Sequence, residues 1–316
     1  MKEIGGYFGL EEFEGEEYHK DAVAVNNARN ALLYILEAKH VGKIYIPYFL
    51  CDSVSDMCKR EGYEFGYYHI DENFMPIFED SLEENEYLYV VNYYGQIGKD
   101  RIAELKRRYK SIIVDNVQAF FEMPIAGIDT VYSCRKFFGV PDGGYVYCTT
   151  FLKNALSQDA SKDRMTHVLG RYEGENASDY YAAFKSNDRS FKDLPLMEMS
   201  KLTHNLLKAA DYDSICQKRE ENFEYLHKAL GDKNKLKLKT PIGPYAYPFY
   251  CKNGMEIKKK LAEKKIYVPT LWPNVLTMHG SLEKDYAENI LPLPCDQRYG
   301  IEDMQRMVED LLKCLD

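Results

Sequence analysis

Apolar positions along the first half of the chain alternate between helical and strand rhythms. Ala31, Leu32, Leu33, Ile35 and Leu36 recur at helical spacing behind Asn26 and Asn27. Asparagine is a good helix cap, so a helix opens there. Residues 43–47 form a short apolar run stopped by Pro47, which predicts a strand. A helix follows over 52–60, closed by Glu61-Gly62, and then a strand over 63–70. Residues 87–91 are almost continuously apolar, as in a sheet covered on both faces. An amphipathic helix over 100–109 precedes three more strands, at 111–115, 130–134 and 144–148. Strands separated by helices make βαβ units, and the fold class read from them is α/β with a mostly parallel sheet.

The rhythm then changes. Residues 156–195 are polar and weakly periodic, which predicts loops or short helices, and 196–230 read as largely helical. From about residue 233 a second pattern begins: a strand at 247–251, a helix at 254–264, short strands at 266–268 and 290–291, and a closing helix at 301–315. We read this as a smaller C-terminal α+β lobe, dividing the chain into a large domain 1–212 and a small domain 213–316. There is no internal repeat and no low-complexity tract.

Composition narrows the partners. A chain of 316 residues is expected to build two lobes or one large α/β unit. Its net charge of -9 argues against nucleic acid and anionic membrane surfaces as partners. No stretch reaches the roughly 18 apolar residues of a membrane span. Residues 1–10 carry Lys2 and Glu3 without an apolar run, so no signal peptide is expected. The eight cysteines form no C-x-x-C pair and no histidine cluster has ligand spacing, which predicts reduced thiols, a cytoplasmic protein and no metal site. The 27 tyrosines are expected in cores and interfaces.

Candidate chemistry sits where strands end, because open α/β sheets bind ligands beyond the carboxyl ends of their strands. Asp115 closes the run Ile113-Val114-Asp115-Asn116-Val117-Gln118. It is readable equally as a helix cap. Lys136 follows the next strand, in Ser133-Cys134-Arg135-Lys136-Phe137-Phe138-Gly139, ahead of a tight turn at Pro141-Asp142-Gly143-Gly144. Most lysines are solvated surface residues, but two aromatic neighbours give this one reason to be partly buried. Burial favours the neutral, nucleophilic form of an amine, which suits an imine-forming lysine without requiring one. No dinucleotide fingerprint, P-loop, nucleophile elbow or H-E-x-x-H competes. Gly5-Gly6-Tyr7-Phe8-Gly9 reads as a turn, and His19, His69 and His279 as structural or exposed.

These segments, taken in order, resemble the DegT/StrS-type sugar aminotransferases, pyridoxal 5'-phosphate enzymes of fold type I related to aspartate aminotransferase. Val25 through Leu32 resembles the family's small-residue turn into its first helix, and Ile44 through Val54 its strand–Pro–helix segment. Val91-Asn92-Tyr93-Tyr94-Gly95 resembles its aromatic-Gly motif. Val114 through Ala119 resembles its Asp-Ala-Ala-Gln/His motif, and Ser133 through Gly144 its Ser…Lys…Gly-Gly segment. Ile266 through Pro269 and Ile290 through Pro294 resemble its last strands.

The resemblance implies roles. Lys136 would carry the cofactor covalently and later shuttle a proton. Asp115 would pair with the pyridine nitrogen, and Gln118 would contact the 3-hydroxyl side. Ser133, with the backbone of Ala28 and Arg29 at a helix N-terminus, would hold the phosphate, a role that orphan N–H groups and the helix dipole also suit physically. This chain has Ala28 where the family usually has Gly, a shorter Ser-to-Lys spacing, and Cys51 at the position of the ring-stacking aromatic, leaving Phe49 or a tyrosine from elsewhere to stand in. Arg135 cannot replace Lys136, because a guanidinium stays protonated. The implied reaction moves an amino group from an amino acid, glutamate first, to a nucleotide-linked keto-sugar, in a homodimer with shared sites. Two alternatives stay open. One is a different pyridoxal-phosphate reaction, although the family's sugar 3-dehydratases carry His where this chain has Lys136. The other is a non-catalytic binding or regulatory protein that keeps the fold.

Overall fold

The computed structural model describes residues 4–174 and 176–315; residues 1–3, Glu175 and Asp316, which include the ends of the two assigned domains and the start of the segment read for a signal peptide, lie outside it. Among the described residues no helix is long and apolar enough to cross a membrane.

The architecture is α/β, built on one eight-stranded sheet. Strand β1 (Val23–Val25) leads into helix α1 (Ala28–Ala38), then β2 (Lys43–Pro47), α2 (Asp52–Glu61), β3 (Glu64–Ile70) and the short β4 (Pro76–Ile77). Next come β5 (Glu86–Val91), α3 (Lys99–Tyr109), β6 (Ile112–Asp115), β7 (Asp129–Ser133) and β8 (Gly144–Tyr147). The strand order is β1-β8-β7-β6-β5-β2-β3-β4. The five central strands from β7 to β3 pair in parallel, while β8, β1 and β4 join antiparallel at the edges. The chain steps outward from β2 to β3, then returns to place β5 on the other side of β2. That reversal opens a crevice at the carboxyl ends of β2 and β5, where open α/β sheets bind ligands.

Local chemistry explains the boundaries. Asn27 caps α1 by accepting from the Asn30 amide, and Gly62 ends α2 in the left-handed conformation. The capping pattern thus placed both helices correctly. Leu88 through Val91 of β5 are buried, as the continuous apolar run at 87–91 required, and so are all four residues of β6.

The polar middle contains two short helices, α4 (Thr166–Glu173) and α5 (Tyr181–Ser190). The helical stretch after it is two helices, α6 (Lys201–Lys208) and α7 (Tyr212–Leu230). A second hydrophobic cluster gathers Phe223, Leu226, Phe249, Leu261, Leu291 and Leu311 from the last third. It is built from α7, the antiparallel pair β9 (Tyr247–Tyr250) and β10 (Ile290–Leu293), α8 (Gly254–Glu263) and α10 (Ile301–Leu315). Helix α9 (Leu282–Asn289) leads into β10.

The strand expected at 266–268 is absent. Ile266 is buried and Tyr267 exposed, which mimics strand alternation, but β9 and β10 pair with each other and leave this segment no ladder to join.

Candidate active site

Asp115 is the last residue of β6, flanked in register by Val91 of β5 and Val131 of β7. The residue is 6 % exposed. Oδ1 accepts from the Val117 amide at 2.7 Å and Oδ2 from the Tyr89 hydroxyl at 2.8 Å. The helix-cap reading fails, because 116–121 form turns and no helix starts there. Burial holds this carboxyl above the ordinary carboxylate range, opposed by the Val117 N–H, the Tyr89 hydroxyl and the charge of Lys136. Asp115 and Lys136 therefore lie within electrostatic reach of each other.

Lys136 ends a single 3-10 turn, Cys134–Lys136, that continues from β7. It is half-buried, and its Nζ lies 5.5 Å from the centre of the Tyr245 ring. Among the described residues its amine has no ion pair. The backbone just beyond it is pinned: the Phe137 carbonyl accepts from Arg219 at 3.2 Å and from Gln297 Nε2 at 2.8 Å. Arg219 also donates to the Pro244 carbonyl at 2.8 Å, and its guanidinium lies 4.6 Å from the centre of the Phe137 ring. The last third of the chain therefore fixes the turn that carries Lys136.

Gln118 is buried, and its Oε1 accepts from the Tyr94 amide at 2.9 Å. Tyr94 holds a left-handed conformation (φ 53). Ser133 is buried and stands opposite Gly144 in the antiparallel pair. Gly144 in turn touches the start of α1: a Cβ there would lie 2.8 Å from the Asn27 carbonyl carbon and 3.0 Å from the Ala28 amide nitrogen. Ser133, Gly144 and the first turn of α1 therefore meet. The Asn30 amide is satisfied by Asn27, whereas the Ala28 and Arg29 amides find no acceptor among the described residues. Those orphan donors sit at the positive end of the helix dipole.

The surrounding frame is polar and buried. Asn30 Nδ2 donates to Asn26 Oδ1 and to the Pro195 carbonyl, both at 2.7 Å, and Gly143 donates to the Asn26 carbonyl at 2.8 Å. Asp142 accepts from the amide and hydroxyl of Ser200, which ties the glycine turn to α6. Gly143 takes φ +110 in that turn.

Phe49 cannot stand in for the ring-stacking aromatic. It is fully buried in the core against Tyr93, Trp272 and Tyr286. Cys51 instead precedes α2 as its cap residue, and Tyr245 is the aromatic beside Lys136.

Arg219, Gln297 and Tyr245 escaped the sequence reading. One signal was available for Arg219: it falls on the same helical stripe as Phe223, Leu226 and Leu230, and a charged residue on an apolar stripe needs a buried partner. His19 is structural, as read. It is buried, with Nε2 2.8 Å from the Phe120 carbonyl, and burial lowers its pKa to about 4.

No protein-family model matches the chain, and no curated protein matches it in sequence. Solved structures do match it in shape. A DegT DnrJ EryC1 StrS aminotransferase from Brucella abortus is 16 % identical at a TM-score of 0.64, over 96 % of this chain and 91 % of that one. Helicobacter pylori PseC, an aminotransferase involved in the biosynthesis of pseudoaminic acid, is 14 % identical at 0.60, over 92 % and 86 %. NtdA from Bacillus subtilis, solved with bound cofactor PMP, is 14 % identical at 0.64, over 93 % and 73 %. The chain shares the fold of these proteins, two of them aminotransferases, as the resemblance implied.

Proposed function

We propose that this protein is a pyridoxal 5'-phosphate-dependent aminotransferase that moves an amino group from an amino acid such as glutamate to a nucleotide-linked keto-sugar. The observation that carries the reading is the placement of Asp115 and Lys136, a buried carboxylate and a half-buried amine, in mutual electrostatic reach at the carboxyl ends of adjacent parallel strands. The structures this chain is similar to support the reaction class: the Brucella abortus and Helicobacter pylori proteins are aminotransferases, and NtdA holds PMP.

The residues fit the cofactor. Asp115 uses one contact on each oxygen, and a carboxylate has about four acceptor sites, so it can still receive a cationic ring nitrogen. The unpartnered Ala28 and Arg29 amides, with Ser133 brought to them by Gly144, suit a phosphate dianion. When bound, the cofactor supplies an electron sink; the protein supplies position and charge. Lys136 would hold the cofactor and move a proton with its amine. Asp115 would pair with the pyridine nitrogen, and Gln118 would lie on the 3-hydroxyl side. Arg219 and Gln297 keep the Lys136 turn in place through the Phe137 carbonyl. Residues 1–212 form the cofactor domain in this reading and 213–316 the smaller one. Two chains pair as a homodimer that shares its sites.

The test is to incubate the purified protein and cofactor with glutamate and a panel of nucleotide-linked keto-sugars, followed by mass spectrometry. The expected products are a 2-oxo acid and a sugar with an amine in place of its carbonyl. Absence of both across the panel, with cofactor bound, overturns the proposed reaction.

A further inference from the structure

Three arginines surround one buried ring. The guanidiniums of Arg135, Arg164 and Arg29 lie 4.5, 5.3 and 5.9 Å from the centre of Phe191. Distances of this order permit cation–π attraction, but three cations around one ring repel each other. Their counter-charges are too few. Asp159 pairs with Arg164 at 2.7 Å, and Asp188 approaches Arg135 at 3.5 Å. Arg29 has no hydrogen bond or ion pair among the described residues, so three guanidiniums face two carboxylates. Asp188 attracts Arg29 as well as Arg135, so one carboxylate serves both, while Arg60 and Asp52 of α2 act on Arg29 with opposite and smaller effects. Burial lowers the pKa of both Arg29 and Arg135, and Asp188 opposes that at each. Arg164 keeps a buried Nε with no acceptor in the same cluster.

The cluster adjoins the candidate site on two sides. Arg29 belongs to the first turn of α1, where its own amide and that of Ala28 have no acceptor among the described residues. Arg135 directly precedes Lys136 and lies two residues from Ser133. An unbalanced guanidinium beside a helix N-terminus calls for a compact anion, and the planar fork of arginine matches phosphate oxygens.

We propose that the side chains of Arg29 and Arg135 bind a phosphate group, adding charge to the contacts that the Ala28 and Arg29 amides offer. The inference rests on the reading of Lys136 as the cofactor lysine for its location, and on the unbalanced arginines for its chemistry. Two phosphates qualify: that of the cofactor and the diphosphate of a nucleotide-linked substrate. Asp188 acts as a placeholder that the phosphate displaces from Arg135.

The experiment titrates the apoprotein with pyridoxal 5'-phosphate, pyridoxal and uridine diphosphate by calorimetry, in wild type, Arg135→Gln, Arg135→Lys and Asp188→Asn. Arg135→Gln is expected to weaken pyridoxal phosphate about tenfold or more, by the loss of a charge-assisted phosphate contact, and to leave pyridoxal unchanged. Arg135→Lys should recover part of the loss. Asp188→Asn, at a half-exposed carboxylate, should strengthen phosphate binding with the fold intact. If uridine diphosphate follows this pattern and pyridoxal phosphate does not, the bound group is the substrate's phosphate. The proposal is overturned if Arg135→Gln changes no phosphate ligand, if pyridoxal weakens as much as pyridoxal phosphate, or if Asp188→Asn leaves all phosphate affinities unchanged. Failure of wild type to bind pyridoxal phosphate, with uridine diphosphate still bound through Arg135, would instead refute the cofactor reading alone.

Discussion

Replacing Asp115 by Asn separates its structural and chemical duties. The amide is nearly the same shape. Its oxygen can still accept from the Val117 N–H, and its nitrogen can donate to the Tyr89 hydroxyl, so both contacts at 2.7 and 2.8 Å have a neutral equivalent. The stability cost is therefore small, about 1 kcal/mol at most. A gain appears as pH rises. The folded Asp115 carboxyl has a raised pKa, so the native state binds its proton more tightly than the unfolded chain does. The apoprotein therefore loses stability as pH climbs from the ordinary carboxylate value through the raised one, while below it no penalty exists. Asp115→Asn removes that penalty, so the variant is relatively more stable at pH 8 than at pH 4. Chemistry should move the other way. A carboxylate that raises the pKa of the pyridine nitrogen by about two units contributes roughly 2.7 kcal/mol, or about a hundredfold in rate. The assay is a single-turnover reaction of the loaded protein with an amino acid, followed by cofactor absorbance, with urea denaturation of the same preparation. Near-wild-type turnover per bound cofactor would refute the role of Asp115, and a collapsed fold would return it to a structural one.

Other outcomes follow from the same geometry. His19 is neutral when folded because burial lowers its pKa to about 4, whereas an unfolded histidine titrates near 6.5. Its contribution is complete above pH 6.5 and is lost as pH falls towards 4, about 3 kcal/mol in all. His19→Gln should flatten urea midpoints measured between pH 7 and 4.5, and an unchanged slope would clear His19 of that dependence. Gly144→Ala puts a methyl 2.8 Å from Asn27 and 3.0 Å from the Ala28 amide. It should cost about 1–3 kcal/mol and weaken cofactor binding, and an unshifted melting curve would contradict the packing described. Sedimentation should show a dimer at assay concentration, and an active monomer would rule out shared sites.

What could be read from the sequence was local. Asn27, Gly62 and the apolar run of β6 act within a few residues of themselves, so the helix ends and Asp115's place at a strand end were legible. The strand β1 was not, because three residues become a strand only by pairing with β8 more than a hundred positions later. The segment 266–268 shows the converse, an alternating pattern with no neighbour to pair with. Within the site, Asp115 and Lys136 stood out at strand ends, and the segment resemblance gave them their expected roles. The hold of Arg219 and Gln297 on Phe137, the aromatic at Tyr245 and the arginine cluster around Phe191 all join distant parts of the chain. No spacing rule connects residues 135 and 191, and Phe49 looked available until its burial in the core removed it.

The central claim is that Lys136 carries the cofactor. The direct measurement is borohydride reduction of the protein with pyridoxal 5'-phosphate, followed by digestion and peptide mapping. The account predicts the reduced pyridoxyl group on the peptide containing Lys136, with loss of the bound cofactor's absorbance in Lys136→Ala. The competing amine is Lys258, buried in the last third of the chain, where its Nζ donates to the Ala287 carbonyl at 3.2 Å and burial lowers its pKa to about 8. A label on Lys258, or on any lysine other than Lys136, would contradict the account.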